Sequence, residues 1–262
     1  MESLRELYRI GRGPSSSHTM GPQKAAEIFR KHYPDAARFD VTLYGSLAAT
    51  GKGHMTDKVV EEVLSPVAPV NISWQPQKFL PFHPNGMEFI AYDSEGQVLN
   101  DWTVYSIGGG ALSEGKGERD PFKTPEIYSM NSLTEITRWC DHNGRNYWEY
   151  VQQCEKDGIW DYLRKVWQVM QATNYYIKAS GYKPSLQSRG MVFAYALAVS
   201  EENASGGTIV TAPTCGACGV LPAVLYHCYK SHAFSEIRIL HALATAGLIG
   251  NIVKKNASIS GA

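Results

Sequence analysis

The sequence predicts an α+β protein in which an N-terminal α/β domain is followed by an all-helical domain. Strand and helix patterns alternate up to about residue 115, whereas from about residue 131 the strand patterns nearly vanish and helical spacing dominates. Between them, the polar stretch 116–130 contains two prolines. We therefore expect one domain at 1–130 and another at 131–262.

Turn and breaker residues delimit the elements of the N-terminal domain. A helical pattern follows Gly21-Pro22 and stops at Pro34. The β-branched pair Val41 and Thr42 favours a strand, and Asp-Ser-Glu-Gly at 93–96 is typical of a hairpin turn. The predicted elements are a helix ending at 33, a strand at 39–44, a helix at 56–64, a strand at 70–74 and a hairpin of strands 87–92 and 97–107.

Helical spacing accounts for most of the C-terminal domain. The predicted helices are 132–140, 147–154, 159–176, 188–203, 221–229 and 235–253. The last one is built from Ala, Gly, Leu and Ile with almost no polar face, so we expect it to be buried on all sides. Since the sequence ends nine residues later, we also expect the helical domain to be incomplete.

Composition narrows the classes of function. Lys plus Arg and Asp plus Glu both number 25, so no net charge attracts nucleic acid or an anionic membrane. The N-terminus has no apolar leader, which favours a cytoplasmic protein. The uncharged run 204–229 is broken by Pro213 and Pro222, which argues against a membrane span. Five cysteines, an odd number, argue against a disulfide framework.

The first candidate site is the hydroxyl-rich run Ser15-Ser16-Ser17-His18-Thr19, which precedes a predicted helix. Hydroxyl groups and free backbone N–H groups before a helix suit a carboxylate or a phosphate. The alternative is an ordinary helix cap that uses one serine and leaves the others in solvent.

The second candidate site is the glycine-rich segment 45–56. Its spacing does not fit a phosphate-binding P-loop, because Gly53 stands where the Mg²⁺-binding hydroxyl should be. It does present His54 among glycines with Thr56 two residues later, and imidazole is the usual base near neutral pH. The alternative is a loop with a surface histidine.

The third candidate site is the segment 211–222, which contains Cys215 and Cys218. Cys218 lies at a predicted loop-to-helix junction, where the helix dipole lowers a thiol pKa. The two cysteines form a Cys-x-x-Cys pair, but the βαβ pattern that flanks a redox-active pair in the thioredoxin fold is absent from the sequence. The spacer to His227 and His232 is too short for a zinc finger. A fourth segment, His-Pro-Asn-Gly at 83–86, is by default a turn.

Taken together and in this order, these segments resemble the iron–sulfur-dependent bacterial L-serine dehydratases, which are L-serine ammonia-lyases. The resemblance covers essentially the whole chain. The matching segments are 13–19, 51–56, 83–86, 211–219 and 256–262.

The resemblance implies a fold and a cofactor. It implies an N-terminal domain like the allosteric substrate-binding domain of some phosphoglycerate dehydrogenases, and a helical domain that carries a [4Fe–4S] cluster. Cys218 corresponds to the first of three cysteine ligands, while Cys215 is not counted as one. The other two ligands follow the segment 258–262, where this sequence stops. The resemblance therefore implies a C-terminally truncated chain, and either a homodimer or a partner that supplies the missing segment.

The resemblance also implies roles for individual residues. His54 would take the Cα proton of L-serine, and Thr56 would hold the imidazole or the substrate hydroxyl in line. The products would be pyruvate and ammonia, formed without pyridoxal phosphate, in a cleft between the two domains. The residues implied to bind substrate are Ser16, Ser17, His18, Thr19, Lys52 and Asn85.

Two other functions remain open. The chain could be a non-catalytic module that binds serine for regulation or interaction. It could also be a hydro-lyase that uses the same cluster chemistry on a related hydroxy acid.

Overall fold

The computed structural model describes residues 1–155, 157–173 and 184–257. Within these ranges the chain contains helices and a mixed sheet, which confirms the α+β class. It divides into two compact units. One is Pro14–Lys123, and the other joins Met1–Gly13 to the described residues from Thr124 onward. Residues 1–13, which the sequence analysis placed with the α/β part, thus belong to the helical unit.

The described elements alternate at first and become helical later. The strands are β1 (Ile10–Arg12), β2 (Arg38–Tyr44), β3 (Val70–Gln75), β4 (Gly86–Tyr92), β5 (Val98–Ser106), β6 (Leu112–Ser113) and β7 (Thr208–Val210). The helices are α1 (Gly21–His32), α2 (Gly45–Thr50), α3 (Thr56–Leu64), α4 (Leu133–Asn143), α5 (Tyr147–Cys154), α6 (Ile159–Thr173), α7 (Pro184–Ala204), α8 (Val220–Ser231) and α9 (Glu236–Asn256).

The α/β unit is built on a five-stranded sheet in the order β3-β2-β4-β5-β6. Strands β2 and β3 are parallel and are connected through α2 and α3, as a parallel pair requires a crossover. The remaining pairs are antiparallel, and β4 and β5 form the predicted hairpin.

Alternation along the strands places the core of this unit on one face of the sheet. On β2 the side chains of Phe39, Val41 and Leu43 are buried, whereas their neighbours point to the other face. Phe29 of α1 and Val60 of α3 belong to the same core cluster. The helices thus cover one face of the sheet. Through this core they also anchor the segment that follows β2 and the segment that precedes α1.

The helical unit is organised around a second apolar cluster to which the N-terminus contributes. Leu4, Leu7 and Tyr8 are fully buried in it, and the hydroxyl of Tyr8 donates to the carbonyl of Leu243 at 2.9 Å. Strand β1 pairs antiparallel with β7. These contacts explain why the first thirteen residues belong to this unit.

Helix α9 corrects one sequence-based expectation. It packs against α5, α6 and α8 through a face that includes Leu240 and Leu248. Ile237, Ile249 and Val253 are exposed among the described residues, so the expected burial on all sides is wrong for this part of the chain. By length and composition α9 is the one described helix that could cross a membrane, but a core helix passes the same test.

Candidate functional site

The hydroxyl-rich segment forms a single π-helical turn, Ser16–Met20, that runs directly into α1. Ser15 caps this turn, because its hydroxyl accepts from the backbone N–H of His18 at 3.1 Å. The side chains that follow, at positions 16–19, are all buried. The cap therefore uses Ser15, and the side chains of Ser17, His18 and Thr19 form hydrogen bonds within the protein.

The ring of His18 is held at both nitrogens. Its Nδ1 lies 2.9 Å from the hydroxyl of Ser17, and its Nε2 lies 3.1 Å from the hydroxyl of Ser46. Burial, reinforced by the neighbouring His54, lowers the pKa of His18 to about 4. His18 is consequently an uncharged imidazole at neutral pH.

The ring of His54 lies beside that of His18, with the ring centres 4.9 Å apart. His54 ends a 3₁₀ turn that begins at Gly51, and its Nδ1 lies 3.1 Å from the carbonyl oxygen of Thr50. Because a carbonyl can only accept, Nδ1 of a neutral His54 carries the proton and Nε2 carries the lone pair. His54 is half-buried, so this lone pair belongs to a ring that solvent reaches.

Two buried threonines connect the histidine segments reciprocally. The hydroxyl of Thr19 donates to the carbonyl of His54 at 2.7 Å, and the hydroxyl of Thr56 donates to the carbonyl of His18 at 2.5 Å. Both threonines are fully buried. In this structure Thr56 thus contacts the backbone of His18, and its expected contact with the His54 imidazole or the substrate stays a prediction.

The predicted turn at 83–86 places Asn85 in a buried polar position. The side-chain N–H of Asn85 donates to the carbonyl of Ser106 at 3.2 Å. Its Oδ1 and the hydroxyl of Ser106 are buried without a hydrogen-bond partner. The backbone N–H of Asn85 donates to Nδ1 of His83 at 3.2 Å, which leaves Nε2 of that neutral ring as its N–H. Such unpaired buried groups are costly unless a ligand or water pairs with them.

A glycine brings this turn against the start of α2. Gly45 has a φ of +51°, and a Cβ at that position would lie 2.5 Å from the carbonyl oxygen of Pro84. The next residue, Ser46, donates its backbone N–H to the same carbonyl at 3.0 Å. Sequence reasoning missed Ser46 and His83 as site residues. For Ser46, the sequence feature that could have indicated it is Gly45, a glycine between a predicted strand and a helix start, directly before a hydroxyl side chain.

Lys52 does not join this hydrogen-bonded group. Its side chain is exposed, and its ammonium lies 5.6 Å from the centre of the Trp74 ring. Its predicted contact with substrate stays a prediction.

Cys218 belongs to the other compact unit. It lies at the loop-to-helix junction before α8, as expected, and it is buried. The expected lowering of its pKa is wrong, because burial raises the pKa of the Cys218 thiol to about 11. Burial and the neighbouring Cys218 raise the pKa of Cys215 to about 12. The predicted cleft in which His54 faces Cys218 stays a prediction.

The chemistry of the donor set tests the implied iron–sulfur cluster. Such a cluster takes cysteine thiolates as ligands. Within residues 1–155, 157–173 and 184–257, no three His, Cys, Asp or Glu side chains are grouped closely enough to hold a metal ion. The described residues therefore do not form a complete three-cysteine site by themselves.

Comparison with known proteins identifies the family. The serine dehydratase beta chain family matches residues 3–73, and the serine dehydratase alpha chain family matches residues 84–262. The alpha-chain match begins at the His83–Asn85 turn, inside the α/β unit, so it includes Asn85 and Ser106 as well as Cys218.

Curated relatives match the whole length of this chain. The L-serine dehydratase of Haemophilus influenzae is 33% identical, and the match covers 100% of this chain and 74% of the relative. The L-serine dehydratase TdcG of Escherichia coli is 34% identical with the same coverage. The L-serine dehydratase of Streptomyces coelicolor is 33% identical over 99% of this chain and 73% of its own length. The chain belongs to the L-serine dehydratase family.

Proposed function

We propose that this chain acts as an L-serine ammonia-lyase that converts L-serine to pyruvate and ammonia. Its relatives are named L-serine dehydratases, and their matches extend over all or nearly all of its length. The observation that carries the proposal is the hydrogen bond of His54 Nδ1 to the Thr50 carbonyl, because it leaves Nε2 as a base.

In the proposed reaction, Nε2 of His54 removes the proton from Cα of L-serine. The electron pair of that C–H bond forms a Cα–Cβ double bond as the β-hydroxyl leaves as hydroxide, which gives aminoacrylate. The proton that His54 took is then released and converts the hydroxide to water. Aminoacrylate tautomerises to the imine, which water hydrolyses to pyruvate and ammonia. The neutral ring of His18 adjoins His54 and adds no positive charge that would oppose protonation of the base.

The unpaired oxygen of Asn85 supports a role in holding the substrate. An amide oxygen accepts hydrogen bonds, and the α-ammonium of L-serine donates them. The unpaired hydroxyl of Ser106 is at the end of β5, whose last carbonyl accepts from the Asn85 side chain, and it can donate or accept. We propose Asn85 as the acceptor for the ammonium group. Contacts of Ser16, Ser17 and Thr19 with the substrate carboxylate stay predictions. For Thr19 such a contact requires its hydroxyl to exchange the bond that it donates to the His54 carbonyl.

The proposed cofactor is a [4Fe–4S] cluster, with Cys218 as one ligand. The proposal rests on the family resemblance and on the buried thiol at the start of α8. All five cysteines are among the described residues, which do not complete the ligand set, so further thiolates must come from outside this sequence or from a partner. When bound, such a cluster supplies Lewis-acid activation of the leaving hydroxyl. Pyridoxal phosphate has no role in this scheme.

Three finer expectations remain part of the proposal. We propose that the α/β unit has the fold of the allosteric substrate-binding domain and that the protein is cytoplasmic. We also propose that it forms a homodimer or binds a partner that completes the cluster site. Sedimentation analysis of the purified protein, alone and after iron loading, tests the last of these.

Anaerobic reconstitution with iron and sulfide, followed by an L-serine assay, tests the function. We expect a visible charge-transfer band and the release of equal amounts of pyruvate and ammonia. A protein that takes up iron but forms no pyruvate contradicts the proposal. If that protein still binds L-serine in a calorimetric titration, the non-catalytic module is supported instead. A panel of related hydroxy acids distinguishes L-serine from another hydro-lyase substrate.

A further inference from the structure

The buried ring of His18 links two serine hydroxyls of different exposure. Ser17 is 5% exposed and contacts Nδ1, whereas Ser46 is half-buried and contacts Nε2. A neutral imidazole has one N–H and one lone pair, so one serine donates to the ring and the other accepts from it. Two arrangements are possible: the hydrogen bonds are donated from Ser17 through His18 to Ser46, or from Ser46 through His18 to Ser17. The surroundings of the ring decide which tautomer is present.

The burial of Ser17 decides the direction in which these hydrogen bonds are donated. If Ser17 accepted from Nδ1, its own hydroxyl hydrogen would be buried and would need another acceptor. Among the described residues, the His18 ring is the partner found for that hydroxyl. A buried donor without an acceptor is unfavourable, so Ser17 donates to Nδ1. The proton of His18 is then on Nε2, which donates to Ser46.

This direction leaves the hydroxyl hydrogen of Ser46 available to a ligand. The oxygen of Ser46 accepts from His18, and Ser46 is half-buried, so its hydroxyl hydrogen is not used by the ring. Burial of His18 and its proximity to His54 lower the pKa of His18 to about 4, so the chain of bonds from Ser17 through His18 to Ser46 persists at neutral pH.

The position of Ser46 is tied to that of His54. The hydroxyl of Thr50 donates to the carbonyl of Ser46 at 3.0 Å, and the carbonyl of Thr50 accepts from Nδ1 of His54 at 3.1 Å. The His18 ring contacts both, with Ser46 at its Nε2 and the His54 ring beside it. The Ser46 donor and the His54 base thus flank one neutral ring.

We propose that Ser46 is a substrate-binding residue whose hydroxyl donates to the carboxylate of L-serine while His54 removes the Cα proton. This inference rests on the proposed function. A carboxylate only accepts hydrogen bonds, and it binds donors strongly because it is charged. The bond from His18 Nε2–H orients Ser46 for this contact, so His18 is a positioning residue.

Nitrogen-15 spectra of the histidine-labelled full chain test the direction of the bonds without any turnover. We expect the Nε2 tautomer for His18 in the wild-type protein at neutral pH. We expect Ser46→Ala to shift the Nε2 signal of His18 and Ser46→Thr to restore it, while the exposed Ser94→Ala leaves it unchanged. The Nδ1 tautomer in the wild type, or an unaltered His18 signal in Ser46→Ala, would overturn the proposed chain of bonds.

Substrate binding to the reconstituted protein tests the contact itself. A lost hydrogen bond to a carboxylate corresponds to roughly tenfold weaker L-serine binding in Ser46→Ala. Ser46→Thr should recover most of this affinity, and Ser94→Ala should match the wild type. Normal L-serine affinity and turnover in Ser46→Ala overturn the inference and leave the proposed function intact. Wild-type protein that neither binds nor converts L-serine refutes both, even where the nitrogen-15 result stands.

Discussion

The rings of His18 and His54 lie 4.9 Å apart and are tilted by 44°, although the two residues come from separate segments of the sequence. The two histidines have different hydrogen-bond partners. His18 is buried between two serine hydroxyls, and its pKa is lowered to about 4, whereas His54 donates to a backbone carbonyl and is half-buried. One ring is therefore fixed and neutral, and the other is available as a base.

The reciprocal threonine bonds should contribute to stability as a pair. Thr19→Val and Thr56→Val each remove a buried hydroxyl from a backbone carbonyl, and each should lower the free energy of unfolding by about 1–3 kcal/mol. Because both bonds join the same two segments, the double variant should lose less than the sum. Urea unfolding measures this, with the exposed Thr103→Val as the control. Single variants as stable as the control would show that the bonds do not hold the segments.

Gly45 should tolerate no side chain. Its φ of +51° disfavours other residues, and a Cβ would lie 2.5 Å from the Pro84 carbonyl oxygen. We expect Gly45→Ala to lower the free energy of unfolding by about 2 kcal/mol or more. Gly53→Ala is the matched control, since nothing lies within 4 Å of a Cβ there. Equal stability of the two variants would contradict the close approach of Ser46 to the His83–Asn85 turn.

His18 should make the stability of the protein depend on pH. Its folded pKa of about 4 is below the unfolded value, so its contribution is fully present above about pH 6.5 and is lost as the pH falls toward 4. The loss should reach about 3 kcal/mol over that interval. Unfolding by urea at several pH values measures it, and nitrogen-15 titration assigns it to His18. A His18 ring that titrates near 6.5 in the folded protein would refute this account.

Cys218 should determine how much iron the protein takes up. Iron binds the thiolate and must displace the proton of the thiol, so iron uptake should increase with pH. We expect Cys218→Ser to lower the iron content and the visible absorbance after anaerobic reconstitution. Cys215→Ser, three residues away and equally buried, should retain both. Equal loss in the two variants would make Cys215 a ligand as well.

Local patterns predicted most of the elements. Strands β2, β3, β4 and β5 and helices α1, α3 and α5 lie where periodicity, turns and proline placed them. The predicted helix 159–176 is confirmed up to Thr173, and the rest of it lies outside the described residues. Strand β1 was missed, because three residues that pair with a segment almost two hundred positions away carry no local signal.

In the candidate site, too, local patterns did not predict contacts between residues that are distant in the sequence. The sequence singled out His18 and His54 separately, since serines, glycines and imidazoles are visible in a short window. The family resemblance placed both in one site, but neither it nor the local patterns predicted the contact between their rings, which depends on Thr19 and Thr56 bonding across the fold. The pKa of Cys218 was misjudged for a related reason. A helix start predicts a lowered pKa, but the surrounding packing, which no local pattern contains, raises it.

The most direct test of the central claim is L-serine turnover by the reconstituted His54→Gln variant. Glutamine keeps a polar side chain of similar length but cannot take the Cα proton, and general-base catalysis contributes about 10²–10⁴-fold to rate. We predict that pyruvate formation falls by at least about 10²-fold, while the iron content and visible absorbance match those of the wild type. Near-normal turnover with an intact cluster would contradict the role of His54 as the base.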